Sequence, residues 1–94
     1  MAVLTEKDVR QRLSELPGWS YGNNSIERLF EFKDFAAAMK FVNKVAQAAE
    51  QANHHPDIDI RYNKVRMSLT SHDSGGVTAR DVRMAKQISD IAAG

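Results

Sequence analysis

All three histidines of the chain lie within a stretch of nineteen residues. His54 and His55 are adjacent and precede Pro56, and His72 closes the stretch. Histidine is the side chain whose ordinary pKa lies close to neutral pH, so it can both donate and accept protons there. A cluster of histidines in a chain without cysteine therefore indicates acid and base chemistry on an uncharged substrate. Metal binding is the rival interpretation.

The spacing of the histidines does not favour a metal. Zinc sites commonly use His-x-x-x-His on one helical face or pairs of cysteines, and the chain has neither. Adjacent side chains point about 100° apart on a helix and to opposite sides of a strand, so His54 and His55 are not equivalent ligands. We therefore expect no metal, with one of these two histidines facing a cleft while the other supports it.

Charged residues flank the histidines at spacings that allow contact. Glu50 precedes His54 by four residues, the helical spacing at which a carboxylate can hold an imidazole. Further along the chain, Asp81 has a structural interpretation as the third residue of a helix capped by Thr78. Arg80 also has a structural interpretation, as a solvated residue of the same first turn. Each residue alone could be structural, and the combination is what favours a site.

The composition is that of one ordinary globular domain, 1–94. Of the 94 residues, 43% are hydrophobic and 27% are charged, while the formal net charge of +1 gives no footprint for direct nucleic-acid binding. The absence of cysteine excludes disulfides, thiolate metal sites and a cysteine nucleophile. We find neither a secretory signal nor a run of about 20 apolar residues, and therefore expect a cytoplasmic protein without a membrane partner.

Seven predicted elements, in the order α-β-β-α-β-β-α, must position the histidines. Thr5 caps a first helix from about 5 to 15, and Pro17-Gly18 ends it. Residues 19–21 and 26–32 then form a hairpin around 22–24, where Gly and Asn tolerate positive φ. Asp34 caps the longest helix, predicted from Phe35 to about Asn53. Pro56 requires that helix to end, because proline disfavours the helical conformation of the preceding residue.

The second half of the chain repeats the hairpin and closes with a helix. Apolar residues alternate with polar ones on both sides of a predicted Asn63-Lys64 turn, which indicates a hairpin with one buried face: Ile58, Ile60, Tyr62, Val65, Met67 and Leu69. After a loop at 71–76, Thr78 caps a last helix with Val82, Ala85 and Ile88 turned inward. The predicted fold is an α+β domain with a four-stranded antiparallel sheet and helices packed on one face.

Two further expectations concern the core and the cleft. Trp19 and Tyr62 are expected in the core or on a sheet face. The longest helix is expected to bury an apolar stripe, widened by Phe41 and Val45, that consists of Phe35, Met39, Val42, Ala46 and Ala49. His54 and His55 leave the long helix and His72 leaves the last strand. Both places are ends of elements where loops meet, so a shared cleft is geometrically possible.

The spaced residues resemble the signature of a known family. Glu50-x-x-x-His54-His55-Pro56 is followed by Tyr62, His72 and Asp81 after intervals of five, nine and eight residues. This pattern, about a third of the chain, is similar to that of the pterin-4a-carbinolamine dehydratase family. The order α-β-β-α-β-β-α is also similar to the fold of that family.

The resemblance implies an enzymatic activity. Members remove water from 4a-hydroxytetrahydrobiopterin to give quinonoid dihydrobiopterin, a step in tetrahydrobiopterin recycling that needs no metal or organic cofactor. By position, the resemblance implies that His54, His55 and His72 are catalytic, with His54 and His72 transferring protons and His55 shaping the pocket. It implies substrate-lining positions beside the histidines at Asn53, Thr70, Ser71 and Asp73. It implies supporting positions at Glu50, Pro56, Arg80 and Asp81.

The chain departs from the animal members at two positions. Asn53 stands where they carry aspartate, and Ile58 replaces a tryptophan at the rim of the pocket. Animal members also act as a dimerisation cofactor for a homeodomain transcription factor, so the alternative function is a protein-interaction module or coactivator. The family forms dimers or tetramers, and an exposed sheet edge gives a physical reason for a homo-oligomer here.

Overall fold

The computed structural model describes residues 2–94 and contains the seven predicted elements in the predicted order. The helices are α1 (Glu6–Leu13), α2 (Phe35–Ala52) and α3 (Ala79–Ala93). The strands are β1 (Ser20–Gly22), β2 (Ser25–Glu31), β3 (Asp57–Arg61) and β4 (Lys64–Leu69). All neighbouring strands pair antiparallel in the order β1-β2-β4-β3. The α+β prediction, with a four-stranded antiparallel sheet and helices on one face, is confirmed.

Helix starts lie where the capping residues predict them. The side-chain oxygen of Thr5 accepts a hydrogen bond from the backbone of Asp8 at 3.1 Å, and Asp34 accepts one from Ala37 at 2.8 Å. Such bonds satisfy backbone N–H groups that have no partner within the helix. Three helices therefore begin at capping residues that the sequence identifies, since Thr78 caps α3 in the same way. None of the helices in residues 2–94 is long and apolar enough to cross a membrane.

The first hairpin turns more tightly than predicted. Gly22 pairs with Ser25 inside the ladder, so the turn consists of two residues, Asn23 and Asn24. Their φ angles are 50° and 62°, in the left-handed region that asparagine tolerates better than most residues. The side chain of Asn24 also donates to the carbonyl oxygen of Gly75 at 2.7 Å. This bond ties the first hairpin to the loop that carries His72.

The second hairpin differs from the prediction in its turn. Arg61 pairs with Lys64, so the turn is Tyr62-Asn63 rather than Asn63-Lys64. Tyr62 has a φ of 53° and is 67% exposed, which makes the prediction of a buried aromatic wrong. Asn63 fixes this register, because its side chain donates to the carbonyl oxygen of Phe32 at 2.7 Å.

The core lies between the helices and one face of the sheet. Trp19 is 6% exposed and belongs to it, as predicted, together with Ile26, Phe30, Val65, Met67 and Leu69 from the strands. The stripe predicted on α2 is correct at Val42 and Ala49, which are buried, and wrong at Phe35 and Ala46, which are exposed. Phe41 and Val45 widen the buried face, as predicted, and Ala38 and Ala48 also belong to it.

The burial predicted for the second hairpin holds for β4 and is wrong for β3. All five residues of β3 are exposed. Ile58 pairs with Met67 and Ile60 with Val65, and paired residues of an antiparallel ladder share a face. Both isoleucines therefore lie on the helix side of the sheet, at an edge that this chain's own helices leave uncovered.

Candidate active site

The end of α2 places His54 beside the start of α3. Asn53 adopts the left-handed conformation, with φ 51° and ψ 42°, and ends the helix. His54 follows in extended chain, and its Nε2 atom lies 2.5 Å from Oδ1 of Asp81. The His54 side chain is only 11% exposed, and that of Asp81 is fully buried. The predicted contact between Glu50 and His54 is wrong, because the helix ends before it can bring the two side chains together.

Asp81 is held from several sides. Its Oδ2 atom accepts hydrogen bonds from the backbone N–H of Thr78 at 2.8 Å and from the hydroxyl of Ser71 at 2.9 Å. The Ser71 and Thr78 hydroxyl oxygens are also 2.9 Å apart. The structural interpretation of Asp81 as a capping residue is therefore correct, and its other oxygen is left to contact His54. One carboxylate serves both purposes.

Counting protons fixes the direction of every hydrogen bond in this network. A hydroxyl has one proton, and Ser71 uses its own on Asp81, so Ser71 must accept from Thr78. Thr78 in turn accepts from the backbone N–H of Arg80 at 3.2 Å. With these donors in place, an ionised Asp81 acts only as an acceptor. The network is complete without any buried hydroxyl left unpaired.

The network also determines the tautomer of His54. A carboxylate oxygen can only accept, so Nε2 of His54 must carry the proton that lies between it and Asp81. In the neutral ring, the lone pair is then on Nδ1, because a neutral imidazole carries one proton. His54 thus presents a fixed proton acceptor, the arrangement that a general base requires.

His55 is placed differently, as the sequence predicted for two adjacent histidines. Its Nε2 atom forms a hydrogen bond with Oε2 of Glu50, five residues earlier on α2. Both side chains are largely exposed. This surface pair links the chain after α2 back to the last turn of the helix, so His55 can steady the segment that carries His54.

His72 lies in the loop between β4 and α3. The loop is closed by Ser71, which pairs with Gly76 in an isolated bridge, and His72 itself is exposed. No hydrogen bond of the His72 ring to another side chain is found within residues 2–94. Its neighbour Ser71 contacts Asp81, so the loop is joined to His54 through one carboxylate.

Arg80 and Asp73 form an ion pair at the rim of the same loop. Nη2 of Arg80 donates to Oδ1 of Asp73 at 2.7 Å. This hydrogen bond is the main reason that the pKa of the Asp73 carboxyl lies below its ordinary value. The Nε atom of Arg80 is buried and has no hydrogen-bond partner among residues 2–94. Arg80 is therefore not the solvated residue of the structural interpretation.

The remaining predicted positions surround this network without all joining it. Thr70 donates from its hydroxyl to the carbonyl oxygen of Asn24 at 2.9 Å, Asn53 is the exposed end of α2, and Pro56 precedes β3. Among residues 2–94, no group of three histidine, cysteine, aspartate or glutamate side chains is placed to hold a metal ion. The residues that the structure does connect are His54, Ser71, Thr78 and Asp81.

A cleft of about 200 Å³ borders His54, and most of its lining was not identified from the sequence. The lining residues are Ala52, His54, Arg80, Arg83, Met84 and Gln87. The last four share one face of α3, at the helical spacing i, i+3, i+4 and i+7. That spacing is the signal that could have revealed them, because it continues from the predicted Arg80.

Comparison with known proteins agrees with this fold and sequence pattern. A family model described as pterin 4 alpha carbinolamine dehydratase matches residues 2–91. A protein from Acidobacterium capsulatum is 59% identical over 91 residues, covering 97% of this chain and 99% of the relative. One from Koribacter versatilis is 57% identical over 89 residues, covering 95% of each. Both carry the name "Putative pterin-4-alpha-carbinolamine dehydratase".

Solved structures agree as well. A protein from Brucella melitensis described as "transcriptional coactivator/pterin dehydratase" superposes with a TM-score of 0.92 at 38% identity, covering 96% of this chain and 98% of its own. A pterin dehydratase-like RuBisCO assembly factor of the alpha-carboxysome, 19% identical with a TM-score of 0.71, shares the fold. The superposition covers 82% of this chain and 92% of the assembly factor's chain. By the family model and by its close relatives, this chain belongs to the pterin 4 alpha carbinolamine dehydratase family.

Proposed function

We propose that this protein is a lyase that removes water from 4a-hydroxytetrahydrobiopterin to give quinonoid dihydrobiopterin, in the recycling of tetrahydrobiopterin. The observation that carries the proposal is the contact between His54 and the buried Asp81, which gives a member of this family an imidazole with a fixed proton acceptor. We expect the reaction in the cytoplasm and without a metal or organic cofactor.

The reaction requires two proton transfers. The bond between C4a and the hydroxyl oxygen breaks, and the leaving oxygen takes a proton to become water. N5 loses its proton, and the electron pair forms the double bond between C4a and N5. We assign the removal of the N5 proton to Nδ1 of His54, and the protonation of the hydroxyl to His72. His55 shapes the pocket next to them.

We assign the other site residues to binding the substrate or to supporting the side chains that contact it. We assign substrate contact to Asn53, Thr70, Ser71 and Asp73, which lie at the end of α2 and in the loop that carries His72. We assign support to Glu50, Pro56, Arg80 and Asp81. Three of these residues make contacts that agree with this assignment: Glu50 with His55, Arg80 with Asp73, and Asp81 with His54.

The test is the decay of chemically generated 4a-hydroxytetrahydrobiopterin in the presence of the purified protein. We expect the wild type to accelerate the decay over buffer. Replacing His72 by alanine should lower the rate about 10²- to 10⁴-fold, the usual contribution of one acid or base group. Because His72 is exposed, its loss leaves the core unchanged, which a circular dichroism spectrum can verify. No acceleration by the wild type would mean that the protein is not this enzyme.

A second candidate function is protein interaction, and one observation favours it. Ile58, Ile60 and Phe35 expose 36%, 39% and 50% of their surface, and β3 is an edge strand with a free row of backbone groups. Such an edge can pair with another chain. We propose that it supports a homodimer or homotetramer. A regulatory partner would be recognised by pull-down that survives the replacement of His54 and His72.

A further inference from the structure

Two guanidinium groups border the cleft beside His54. Apart from His54, the polar side chains that line it are Arg80, Arg83 and Gln87, and no carboxylate is among the lining residues. The two carboxylates that approach from outside are already engaged, Asp73 by Arg80 and Asp81 by His54, Ser71 and Thr78. The charge of Arg83 therefore remains uncompensated at the wall of the cleft.

Arg80 brings an oriented guanidinium group to this wall. Its Nη2 atom is tied to Asp73, which orients the guanidinium group. Its Nε atom is buried, and no acceptor for it is found in the described part of the chain. Because Nε is enclosed by the protein, Arg80 contributes to the cleft through the position of its guanidinium group rather than through that atom.

Arg83 offers a second group on the same side. It follows Arg80 by three residues on α3, so the two side chains leave the same face of the helix. Arg83 is exposed and forms no ion pair with another residue of 2–94. Gln87, one turn further, adds an amide to the same wall.

We propose that Arg83, beside the guanidinium group of Arg80, selects pterins whose side chain carries an anionic group, a carboxylate or a phosphate. This inference rests on the proposed function, because it concerns the substrate of that site. The bicyclic pterin ring is uncharged near neutral pH and does not account for an unpaired guanidinium group beside the catalytic histidine. An anionic substituent does, because guanidinium groups bind carboxylates and phosphates through paired N–H donors.

The first measurement is binding of unreactive fluorescent pterins. The probes are 6-hydroxymethylpterin, which is neutral, its phosphate ester, and pterin-6-carboxylate. We expect the wild type to bind at least one anionic probe about five- to tenfold more tightly than the neutral one, since a charged hydrogen bond at an exposed site contributes modestly. The preference should weaken as salt is added, because exposed charges are screened. The anionic probe that binds more tightly identifies which anion is preferred.

Three variants separate charge from structure. Arg83→Gln should bring the ratio of the dissociation constants close to one, and Arg83→Lys should keep part of the preference because it keeps the charge. Arg61→Gln is the matched control, since Arg61 is exposed on β3 and faces away from the helix side of the sheet. It should leave the ratio unchanged.

The outcomes distinguish this inference from the proposed function. Equal affinity of the wild type for neutral and anionic probes, or an unchanged ratio in Arg83→Gln, overturns the selection of anionic pterins. The dehydration assay with neutral and anionic 4a-hydroxytetrahydropterins is run in parallel. Turnover of both at equal kcat/KM keeps the proposed function and overturns the inference, whereas binding with selection but without turnover overturns the proposed function alone. Binding of none of the probes overturns the inference, and if there is no turnover either, it overturns both.

Discussion

The carboxylate of Asp81 completes the start of α3 through one oxygen and holds the ring of His54 through the other. A helix cap is rigid, because its hydrogen bonds are part of the backbone network. The contact with Asp81 therefore holds the ring of His54 in one position, and its free nitrogen is fixed as an acceptor. At the scale of single residues, the site thus obtains its proton acceptor from a structural feature that the helix needs in any case.

Replacing Asp81 by asparagine should reverse the tautomer of His54. The amide oxygen can accept from Thr78 and Ser71, so the amide nitrogen faces Nε2 and donates to it. Nδ1 must then carry the proton and can no longer accept one. We expect a loss of about 10²- to 10⁴-fold in dehydration rate. The ¹⁵N chemical shifts of the His54 ring report the tautomer directly.

A matched variant separates this effect from the loss of a helix cap. Asp34 caps α2 through one bond to Ala37, and Asp34→Asn makes the same chemical change at that helix. Both variants should lower stability slightly, measured by urea unfolding. Only Asp81→Asn should lower the rate and move the ¹⁵N shifts. Equal rates in the two variants would contradict the role assigned to Asp81.

The ion pair between Asp73 and Arg80 predicts a pH dependence. The hydrogen bond from Arg80 lowers the pKa of Asp73 in the folded protein, so the pair stabilises the fold above the unfolded pKa of that carboxyl. This stabilisation is lost as the pH falls through the folded pKa. We expect Arg80→Gln to raise the pKa of Asp73 towards its ordinary value, as measured by ¹³C NMR of the carboxyl group. Arg66→Gln, which removes an ion pair with Glu27, should leave that titration unchanged.

At the scale of elements, the end of α2 decides where His54 lies. Asn53 has a φ of 51°, and a side chain with Cβ costs about 1 kcal/mol in that region. Asparagine tolerates it better than most residues, and glycine tolerates it best. We expect Asn53→Ala to lower the free energy of unfolding by about 1 kcal/mol and Asn53→Gly to have little effect.

The measurement is the midpoint of thermal unfolding. A loss of about 1 kcal/mol corresponds to a fall of about 4 to 8 °C in Tm for a chain of this size. Gln51→Ala provides the control, because Gln51 is an exposed helical position two residues earlier where alanine is favourable. If Asn53→Ala unfolds at the temperature of Gln51→Ala, the left-handed end of α2 is not what stabilises this segment.

The elements that were predicted correctly are those with local signals. Thr5, Asp34 and Thr78 mark three helix starts, and Pro56 requires α2 to end before it. Such signals depend on hydrogen bonds and steric contacts among neighbouring residues, so a sequence carries them in full. The α+β order follows from these boundaries and from the alternation of apolar residues in the strands.

The predictions that were wrong depend on contacts between distant residues. The turn at Tyr62-Asn63 is set by the bond from Asn63 to Phe32, thirty-one residues away, which the local pattern does not contain. The partner of His54 is likewise distant, whereas Glu50 is close in sequence and pairs with His55 instead. Alternation in β3 correctly indicates two different faces. It does not indicate whether a helix of the same chain reaches them.

At the scale of the whole molecule, one edge of the sheet is suited to pairing with another chain. Edge strand β1 has three residues, whereas β3 has five and exposes Ile58 and Ile60 on the helix side of the sheet. Long apolar edges are where other strands add, and natural proteins either shield them or use them. We propose that a second copy of this chain covers β3, which would bury both isoleucines.

Replacing Ile58 and Ile60 by lysine should therefore remove this interface, which reduces a dimer to monomers and a tetramer to smaller units. Lysine at a strand edge opposes pairing, and the two isoleucines are exposed in the monomer, so its own stability should change little. Leu29→Lys is the control, because Leu29 is 48% exposed and pairs with Arg66 on the opposite face of the sheet. Light scattering after size-exclusion chromatography gives the mass of each variant. A wild type that is already monomeric, or a double variant that keeps the wild-type oligomeric mass, would show that β3 is not the interface.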